Sequence, residues 1–298
     1  MNKYISYFMT KLIHSLWWLF PDELYLRVLY FFEMGKVLHL NPPVLYQEKL
    51  QWLKLHNRKL EYTNMVDKIT AKEYVANIIG KEYIIPTLGV WDEFDDIPFD
   101  ELPNQFVLKT NNAGSSEGVF VCKDKSVLNI PFIKKKMELA RKTNIFHIGR
   151  EWPYKNIKPK YIAEQYMYDD SPYNKGGVSD YKFTCFNGVA DNVMVCAERE
   201  SGNTIFYFFD KDWNMLPLNI RGKNTPSDFK LPKPECLDEM FKLAGRISEG
   251  IPFLRVDFYC VNNRPYFGET TFFPASGFDS NILPETESYF GEKIVLPF

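Results

Sequence analysis

The sequence predicts an α+β fold in which antiparallel strand pairs follow a helical N-terminal segment. Three observations carry this. Residues 1–55 place apolar side chains at three- and four-residue steps, the spacing of a helix face. From residue 106 onward, short runs rich in apolar, β-branched and aromatic residues alternate with turn residues. Two of those turns, Asn187-Gly188 and Asn262-Asn263, have the two-residue form that joins antiparallel neighbours. A chain of 298 residues can bury a sizeable core divided among two or three subdomains with one continuous function.

Bulk composition bounds the function. With 45% hydrophobic and 25% charged residues the chain is expected to be ordered. A net charge of −2 gives no overall attraction for nucleic acid, although basic residues cluster at 134–136 and 155–160. The 25 Phe, 18 Tyr and 6 Trp suit strand-rich lobes and stacking surfaces. Five scattered cysteines without a C-x-x-C pair argue for reduced thiols in a cytoplasmic setting and against zinc. His14, His39, His56 and His147 form no ligand spacing.

Taken in order, residues 1–20 form a candidate amphipathic helix, with Ile5, Phe8, Leu12, Leu16 and Leu19 in phase. The stretch is too short and too interrupted by Lys11 and His14 to span a bilayer. It lacks a small-residue cleavage site, so a leader peptide is not expected. Trp17-Trp18 with Lys3 and Lys11 suits peripheral contact at a membrane interface, and a helix packed on its own domain fits the same stripe. A second helix starts at Pro21-Asp22 and ends near Gly35. A third covers residues 45–55. Residues 1–60 carry no catalytic signal and read as a helical cap or docking segment.

Residues 62–80 predict one helix closed by Gly80, with Lys68 early in it and Lys72 one turn later. Lys68 reads equally as a solvated lysine. A short strand follows at 83–90. Residues 105–123 run strand, loop, strand, and the loop holds Asn111, Asn112, Gly114, Ser115, Ser116 and Gly118. Such a Gly/Ser-rich turn exposes backbone N–H groups that can wrap polyphosphate, with Lys109 supplying a point charge. The spacing is not that of a Walker A loop, and a plain hairpin reads from the same residues. Residues 130–142 predict a basic amphipathic helix. Residues 149–160 predict a solvated loop, whose Arg150, Glu151, Trp152 and Tyr154 could otherwise meet an anionic or sugar-like acceptor.

Residues 161–167 predict a strand carrying Glu164, Gln165 and Tyr166, and 169–177 a polar hinge. A hairpin about Asn187-Gly188 follows; Asp180 and Lys182 alternate on one face of its first strand, and Arg199 ends the second. Another hairpin turns at Asp210-Lys211-Asp212. A helix at 237–249 leads to the stretch where the chemistry concentrates. There, strands 253–261 and 265–270 are each interrupted by a carboxylate, Asp257 and Glu269, twelve positions apart. A buried charge is costly unless paired or metal-bound. Two converging carboxylates with Arg255 on the same strand face suit Mg²⁺ plus phosphate, and equally a structural salt bridge.

The order lysine, strand with lysine, Gly/Ser loop, Glu-bearing strand, antiparallel hairpin, helix, R-x-D strand and Glu strand resembles the ATP-grasp superfamily. It is more similar still to the TupA-like ATP-grasp family, named for teichuronopeptide biosynthesis and often found among genes for surface polysaccharides. The segments that carry this are QEKLQWLKLHNR, VDKITAKEYV, LPNQFVLKTNN, GREWPYKNIKPKYIAEQY, DYKFTCFNG, PFLRVDFY and YFGETTFFPASGF. The resemblance implies two lobes with antiparallel sheets gripping ATP. It divides the chain into a helical segment (1–60), a first part of the core (61–104), a small lid lobe with the phosphate loop (105–168) and a C-terminal lobe with the metal and phosphate site (169–298).

It also implies roles. Lys68 and Lys109 would hold ATP phosphates, and Gly114, Ser115, Ser116 and Gly118 would close over them. Glu164, Gln165 and Tyr166 would meet adenine and ribose. Asp257 and Glu269 would hold Mg²⁺ or Mn²⁺, with Thr271 where many ATP-grasp ligases have Asn. A hydroxyl is the poorer ligand, which leaves more of the shell to water. Arg255 would stabilise the transferring phosphoryl group, and Lys182 and Arg199 could reach the phosphates or an acyl phosphate. The implied reaction joins a carboxylate to an amine through an acyl phosphate, on a uronic or amino acid component that is sugar-linked. A kinase of a sugar hydroxyl and a non-catalytic nucleotide-binding module are the alternatives. A glycosyltransferase fits less well, because Asp210-Lys211-Asp212 reads as a hairpin turn. The expected place of work is the cytoplasm, including the inner face of the membrane.

Overall fold

A computed structural model describes residues 3–114, 116–169, 178–197, 205–226 and 228–297. The chain opens with α1 (Lys3–Ser15) and α2 (Asp22–Met34), and Gly35 ends α2 in the left-handed region (φ 66°) where a side chain would be strained. Next come α3 (Tyr46–His56), α4 (Glu61–Val66), α5 (Thr70–Ile79) and β1 (Thr87–Trp91). The small-lobe strands are β2 (Phe106–Thr110) and β3 (Val119–Cys122), followed by α6 (Ile130–Lys142), α7 (Ile145–Gly149) and β4 (Tyr161–Gln165). The remainder is β5 (Ser179–Phe186), β6 (Val189–Ala197), β7 (Ile205–Phe209), β8 (Met215–Leu216), α8 (Ile220–Lys223), α9 (Leu237–Ile247), β9 (Phe253–Val261), β10 (Arg264–Thr271) and α10 (Pro284–Lys293).

The strands form two antiparallel sheets. The small one runs β1-β4-β2-β3, the large one β10-β9-β5-β6-β7-β8. Each sheet buries one face. On the small sheet, alternate residues Phe106, Leu108, Tyr161 and Ala163 pack against Ile133 and Met137 of α6. On the large sheet, Phe183, Cys185, Leu254, Val256 and Phe258 pack against α9, whose Leu237, Met240, Leu243, Ala244 and Ile247 follow helical spacing. The other face of each sheet is left for polar and charged residues, so the period of two separates core from site along every strand. Both two-residue hairpins have left-handed central residues: Asn187 and Gly188 at φ 51° and 86°, Asn262 and Asn263 at φ 50° and 59°. Asparagine tolerates that region because its side chain bonds the local backbone.

Two expectations need correction, and a third reading is decided. The helix predicted over 62–80 is broken: α4 and α5 are separated by Asp67-Lys68-Ile69, where Asp67 Oδ1 accepts the Ile69 N–H at 2.8 Å. That side-chain bond competes with the helix ladder. The 149–160 segment is not a solvated loop, since Arg150, Glu151 and Tyr154 are buried. The apolar stripe of residues 1–20 faces outward: Ile5, Phe8, Leu12 and Leu19 are exposed, while Thr10 and Ile13 are buried toward α2. Ser115, Arg199 and most of the 169–177 hinge lie outside the described residues.

Candidate active site

The polar faces of the two sheets meet across a cleft of about 1520 Å³. On the large-sheet side, β9 supplies Arg255, Asp257 and Tyr259, β5 supplies Asp180, Lys182 and Thr184, and β10 supplies Glu269. Their meeting depends on one irregularity. Phe267 pairs with Phe258 and Glu269 with Asp257, so Gly268 is an extra residue in β10. Without this bulge Glu269 would oppose Val256 and point into the core, because a one-residue slip exchanges the faces of a strand. Glycine eases the bulge: a Cβ on Gly268 would lie 3.1 Å from the Asp257 carbonyl oxygen and 3.2 Å from the Tyr259 ring, a tight fit that would press on both.

The cluster is tightly paired. Arg255 Nε donates to Asp257 Oδ1 at 2.7 Å and Arg255 Nη2 to Oδ2 at 2.8 Å, a two-pronged contact. Lys182 Nζ also donates to Asp257 Oδ2 and lies 2.7 Å from Asp180 Oδ2. Arg255 Nη2 further reaches Thr271 Oγ1 at 3.0 Å and Glu269 Oε1 at 3.4 Å. Lys68, set in the break between α4 and α5, approaches Glu269 Oε2 at 3.6 Å and donates to the Ala113 carbonyl. Its backbone N–H bonds Asn111 O at 3.2 Å, which ties the break to the end of β2. Burial opposes charge on Asp257, yet Arg255 and Lys182 outweigh it and hold the carboxyl below its ordinary value. Burial likewise opposes charge on Lys182, and Asp257 more than offsets it, so this lysine stays protonated.

The small-sheet side carries a second cluster. Glu164 of β4 and Lys109 of β2 share the cleft face, with Lys109 Nζ 2.5 Å from Glu164 Oε2. Lys72 of α5 donates to the other oxygen, Oε1. Helix α5 packs in the large core through Ala71, Val75 and Ile79, so this ion pair spans the two lobes. Burial disfavours the Glu164 anion, but Lys109 and Lys72 overcome that and keep it ionised below its ordinary value. Gln165 and Tyr166 line the same cleft, as does Gly114. Gly118 is buried; a Cβ there would sit 2.2 Å from Ala113 Cβ, so only glycine lets the loop fold back.

A third pair lies behind the cleft wall. Pro274 and Ala275 line the cleft, and Ala275 and Ser276 adopt left-handed backbone (φ 47° and 53°). This strained turn is held from behind. Lys54 Nζ donates to Ser276 O at 2.7 Å, Gln51 Nε2 to Gly277 O at 2.8 Å, and Ser276 Oγ to Glu151. Burial pushes the Lys54 ammonium down to about 7 against the pull of Glu151, and pushes Glu151 up against the pull of Lys54.

Thus Arg255, Lys182, Asp257, Glu269, Thr271 and Lys68 come together, while Lys109 and Glu164 face them from the other sheet. Ser116 opens the short turn Ser116–Gly118. Lys72, Asp180 and Lys54 carried no role from the sequence, and Glu151, placed there in an acceptor-facing loop, is instead buried behind the wall. The signals for the first two were present: Lys72 one turn beyond Lys68, and Asp180 alternating with Lys182. Asp257 and Glu269 are opposed hard oxygen donors, and Mg²⁺ is commonly held by one or two carboxylates with phosphates and water completing its shell. The pair therefore fits a cation that arrives with a nucleotide. Among the described residues no three His, Cys, Asp or Glu side chains form a metal-binding group of their own.

No curated protein matches the sequence. Among solved structures, the chain is similar to D-alanine–D-alanine ligase from Bacillus anthracis complexed with ATP, at 17% identity and a TM-score of 0.43, covering 77% of this chain and 63% of that one. L-amino acid ligase from Bacillus licheniformis gives 12% identity and a TM-score of 0.46, covering 78% and 49%. N5-carboxyaminoimidazole synthetase from Staphylococcus aureus gives 15% and 0.41, covering 78% and 53%. The chain thus spans from about half to just under two thirds of the length of these three. The model of the TupA-like ATPgrasp family matches residues 48–295, and the chain belongs to that family.

Proposed function

We propose that this chain is an ATP-dependent ligase that joins a carboxylate to an amine through an acyl phosphate. One observation carries the reading: the opposed Asp257–Glu269 pair, threaded by Arg255, faces the Lys72–Glu164–Lys109 cluster across a single cleft. Val107, Val119 and Val121 on one wall and Met194 and Phe206 on the other make an apolar slot that suits a nucleobase. Gln165 and Tyr166 beside it would meet adenine and ribose. Lys109, Lys72 and Lys68 would receive the phosphates, and Gly114 to Gly118 would close over them to exclude water. Arg199, outside the described residues, would add a further cation.

Asp257 and Glu269 would hold Mg²⁺ or Mn²⁺, which supplies charge neutralisation on the phosphates, with Thr271 at the edge of that shell. Arg255 and Lys182 are aimed where negative charge grows as the γ-phosphoryl group passes to a substrate carboxylate oxygen. That transfer breaks the bond between the γ-phosphorus and the β,γ-bridging oxygen and releases ADP. The amine then attacks the acyl carbon, phosphate leaves, and the amine gives up a proton. The family resemblance supports a uronic or amino acid component of a surface polysaccharide as the acid, and a cytoplasmic place of work.

Hydroxylamine trapping tests this. With ATP, Mg²⁺ and a panel of uronic and amino acids, the wild type should yield a hydroxamate and ADP in equal amounts, and Asp257→Asn/Glu269→Gln should yield neither. ADP formed with a phosphorylated sugar and no hydroxamate would mean a kinase instead. An ATP–Mg²⁺ thermal shift (a ligand at about 100 times its Kd adds about 2.7 kcal/mol) without hydroxamate or phosphorylated sugar would mean a non-catalytic nucleotide-binding module, and no shift at saturation would mean a site that binds no nucleotide without a partner.

A further inference from the structure

Helix α1 turns one face toward α2 and presents a second, apolar stripe outward. Ile13 and Thr10 are buried toward α2, and Ser6 Oγ donates to the Phe32 carbonyl. The opposite stripe, Tyr4, Phe8 and Leu12 at four-residue steps, is exposed to 85%, 66% and 39%. Trp18 and Leu19, just past the helix, are each 62% exposed. Packing on its own domain cannot explain this stripe, because the domain packs the other face. A contiguous exposed apolar stripe of this kind marks an interaction surface.

Charge and side-chain type select that neighbour. Residues 1–20 hold two lysines, six aromatic residues and no Asp or Glu. Lys11 lies on the exposed side with its ammonium 4.5 Å from the centre of the Tyr7 ring. The nearest acids on α2 are largely neutralised: Asp22 pairs with Arg58 and Arg150, and Glu23 with Arg27. Glu33 lies within electrostatic reach of His14. Aromatic side chains with lysine beside them are the composition of a helix lying in the headgroup region, and a segment whose own residues 1–20 include no acid suits anionic lipid. Among the described residues no helix is long and apolar enough to cross a membrane.

The patch is also fixed rigidly to the rest of the chain. Trp17 stacks on His147 at 3.6 Å between ring centres, and Tyr25 Oη donates to the His147 and Ile148 carbonyls at 3.0 and 2.8 Å. Arg150 Nη2 donates to the Trp17 carbonyl. The residue after it, Glu151, accepts from Ser276 in the cleft wall. We infer that the outer face of α1, with Trp18 and Leu19, docks this protein in the plane of an anionic lipid surface, and holds the Ser276 turn of the cleft wall at a fixed distance from it.

Co-sedimentation with vesicles tests the inference, using the full chain and vesicles of phosphatidylcholine alone or mixed with phosphatidylglycerol. The wild type should sediment with the anionic vesicles and stay in solution with the neutral ones, and raised salt should release it. Phe8→Glu/Trp18→Glu should lower the binding constant at least about tenfold per anchor removed, with an unchanged urea unfolding midpoint. Tyr4→Ser/Phe8→Ser is the milder second variant and should weaken binding in the same direction. Wild-type protein that ignores anionic vesicles, or binds both kinds equally, overturns the inference. So does a wild-type dimer that Phe8→Glu/Trp18→Glu converts to monomer without any vesicle binding, since the stripe would then be an interface between two copies.

Discussion

On the floor of the cleft three cations, Lys68, Lys182 and Arg255, meet three carboxylates, Asp180, Asp257 and Glu269. On the facing wall two cations, Lys72 and Lys109, share one carboxylate, Glu164. The first group sums to zero (three minus three) and the second to +1 (two minus one). Buried charge is tolerated when paired, so the floor is arranged to stand without a ligand. Among the described residues, the Lys72–Glu164–Lys109 cluster carries one positive charge more than its carboxylate. On the proposed reading, the floor would take a cation and an anion together and the wall an anion alone, as a nucleotide polyphosphate carrying a divalent ion would require.

The largest effect should come from unbalancing the floor. Asp257→Ala leaves Arg255 and Lys182 without the carboxylate that both of them contact. Removing one partner of a buried pair costs about 3–5 kcal/mol, so the urea midpoint should fall steeply and hydroxamate formation should vanish. A loss below about 1 kcal/mol, the worth of an exposed ion pair, would mean that the floor is solvated and that its balance has no structural weight.

The wall should respond to acid in a way that Glu164→Gln removes. Lys109 and Lys72 hold the folded Glu164 carboxyl below its ordinary value of 4.5. A depressed folded value contributes stability that is present above the unfolded value and is lost as pH falls through the folded one. At pH 7, Glu164→Gln should therefore be less stable by about 1.5–3 kcal/mol, the worth of hydrogen bonds to a charged group. Urea unfolding of both proteins down the acid range should show the gap closing once pH drops below the ordinary glutamate value. A gap that stays constant with pH would assign the loss to packing instead of charge.

Much of this arrangement was legible in the sequence. The alternation that puts Asp180 and Lys182 on one face, and Arg255 and Asp257 on another, needs only the period of a strand. The Asn187-Gly188 and Asn262-Asn263 turns specify the β5–β6 and β9–β10 hairpins, whereas the β5–β9 pairing that brings Lys182 opposite Asp257 joins strands remote in sequence and has no local signal. The break at Asp67-Lys68-Ile69 was hidden because the apolar spacing continues through it, although Asp two residues before a backbone N–H is a known competitor with the helix. The burial of Arg150 and Glu151 was out of reach for another reason. Their partners Asp22, Lys54 and Ser276 are remote in sequence, and proline-rich charged segments read as surface. The outward stripe of α1 was seen as a stripe, but periodicity does not say which way a stripe faces.

The smallest effect is the most discriminating. Lys72→Met takes the wall from +1 to zero and leaves Glu164 paired with Lys109 at 2.5 Å. Burial already pushes the Lys72 ammonium below its ordinary value, with Glu164 as its main support, so its charge is costly to keep. If that charge serves the fold, its removal should cost as much stability as Glu164→Gln does. If it serves the nucleotide, stability should change little, because the lysine stem is replaced by a side chain of similar length and no carboxylate is orphaned. ATP–Mg²⁺ affinity should then fall about tenfold, equivalent to about 1.4 kcal/mol. Isothermal titration with ATP–Mg²⁺ and urea unfolding on the same variant separate the two outcomes. Unchanged affinity with a lower midpoint would make the Lys72–Glu164 contact a strut between the lobes and would remove the surplus charge from the nucleotide site.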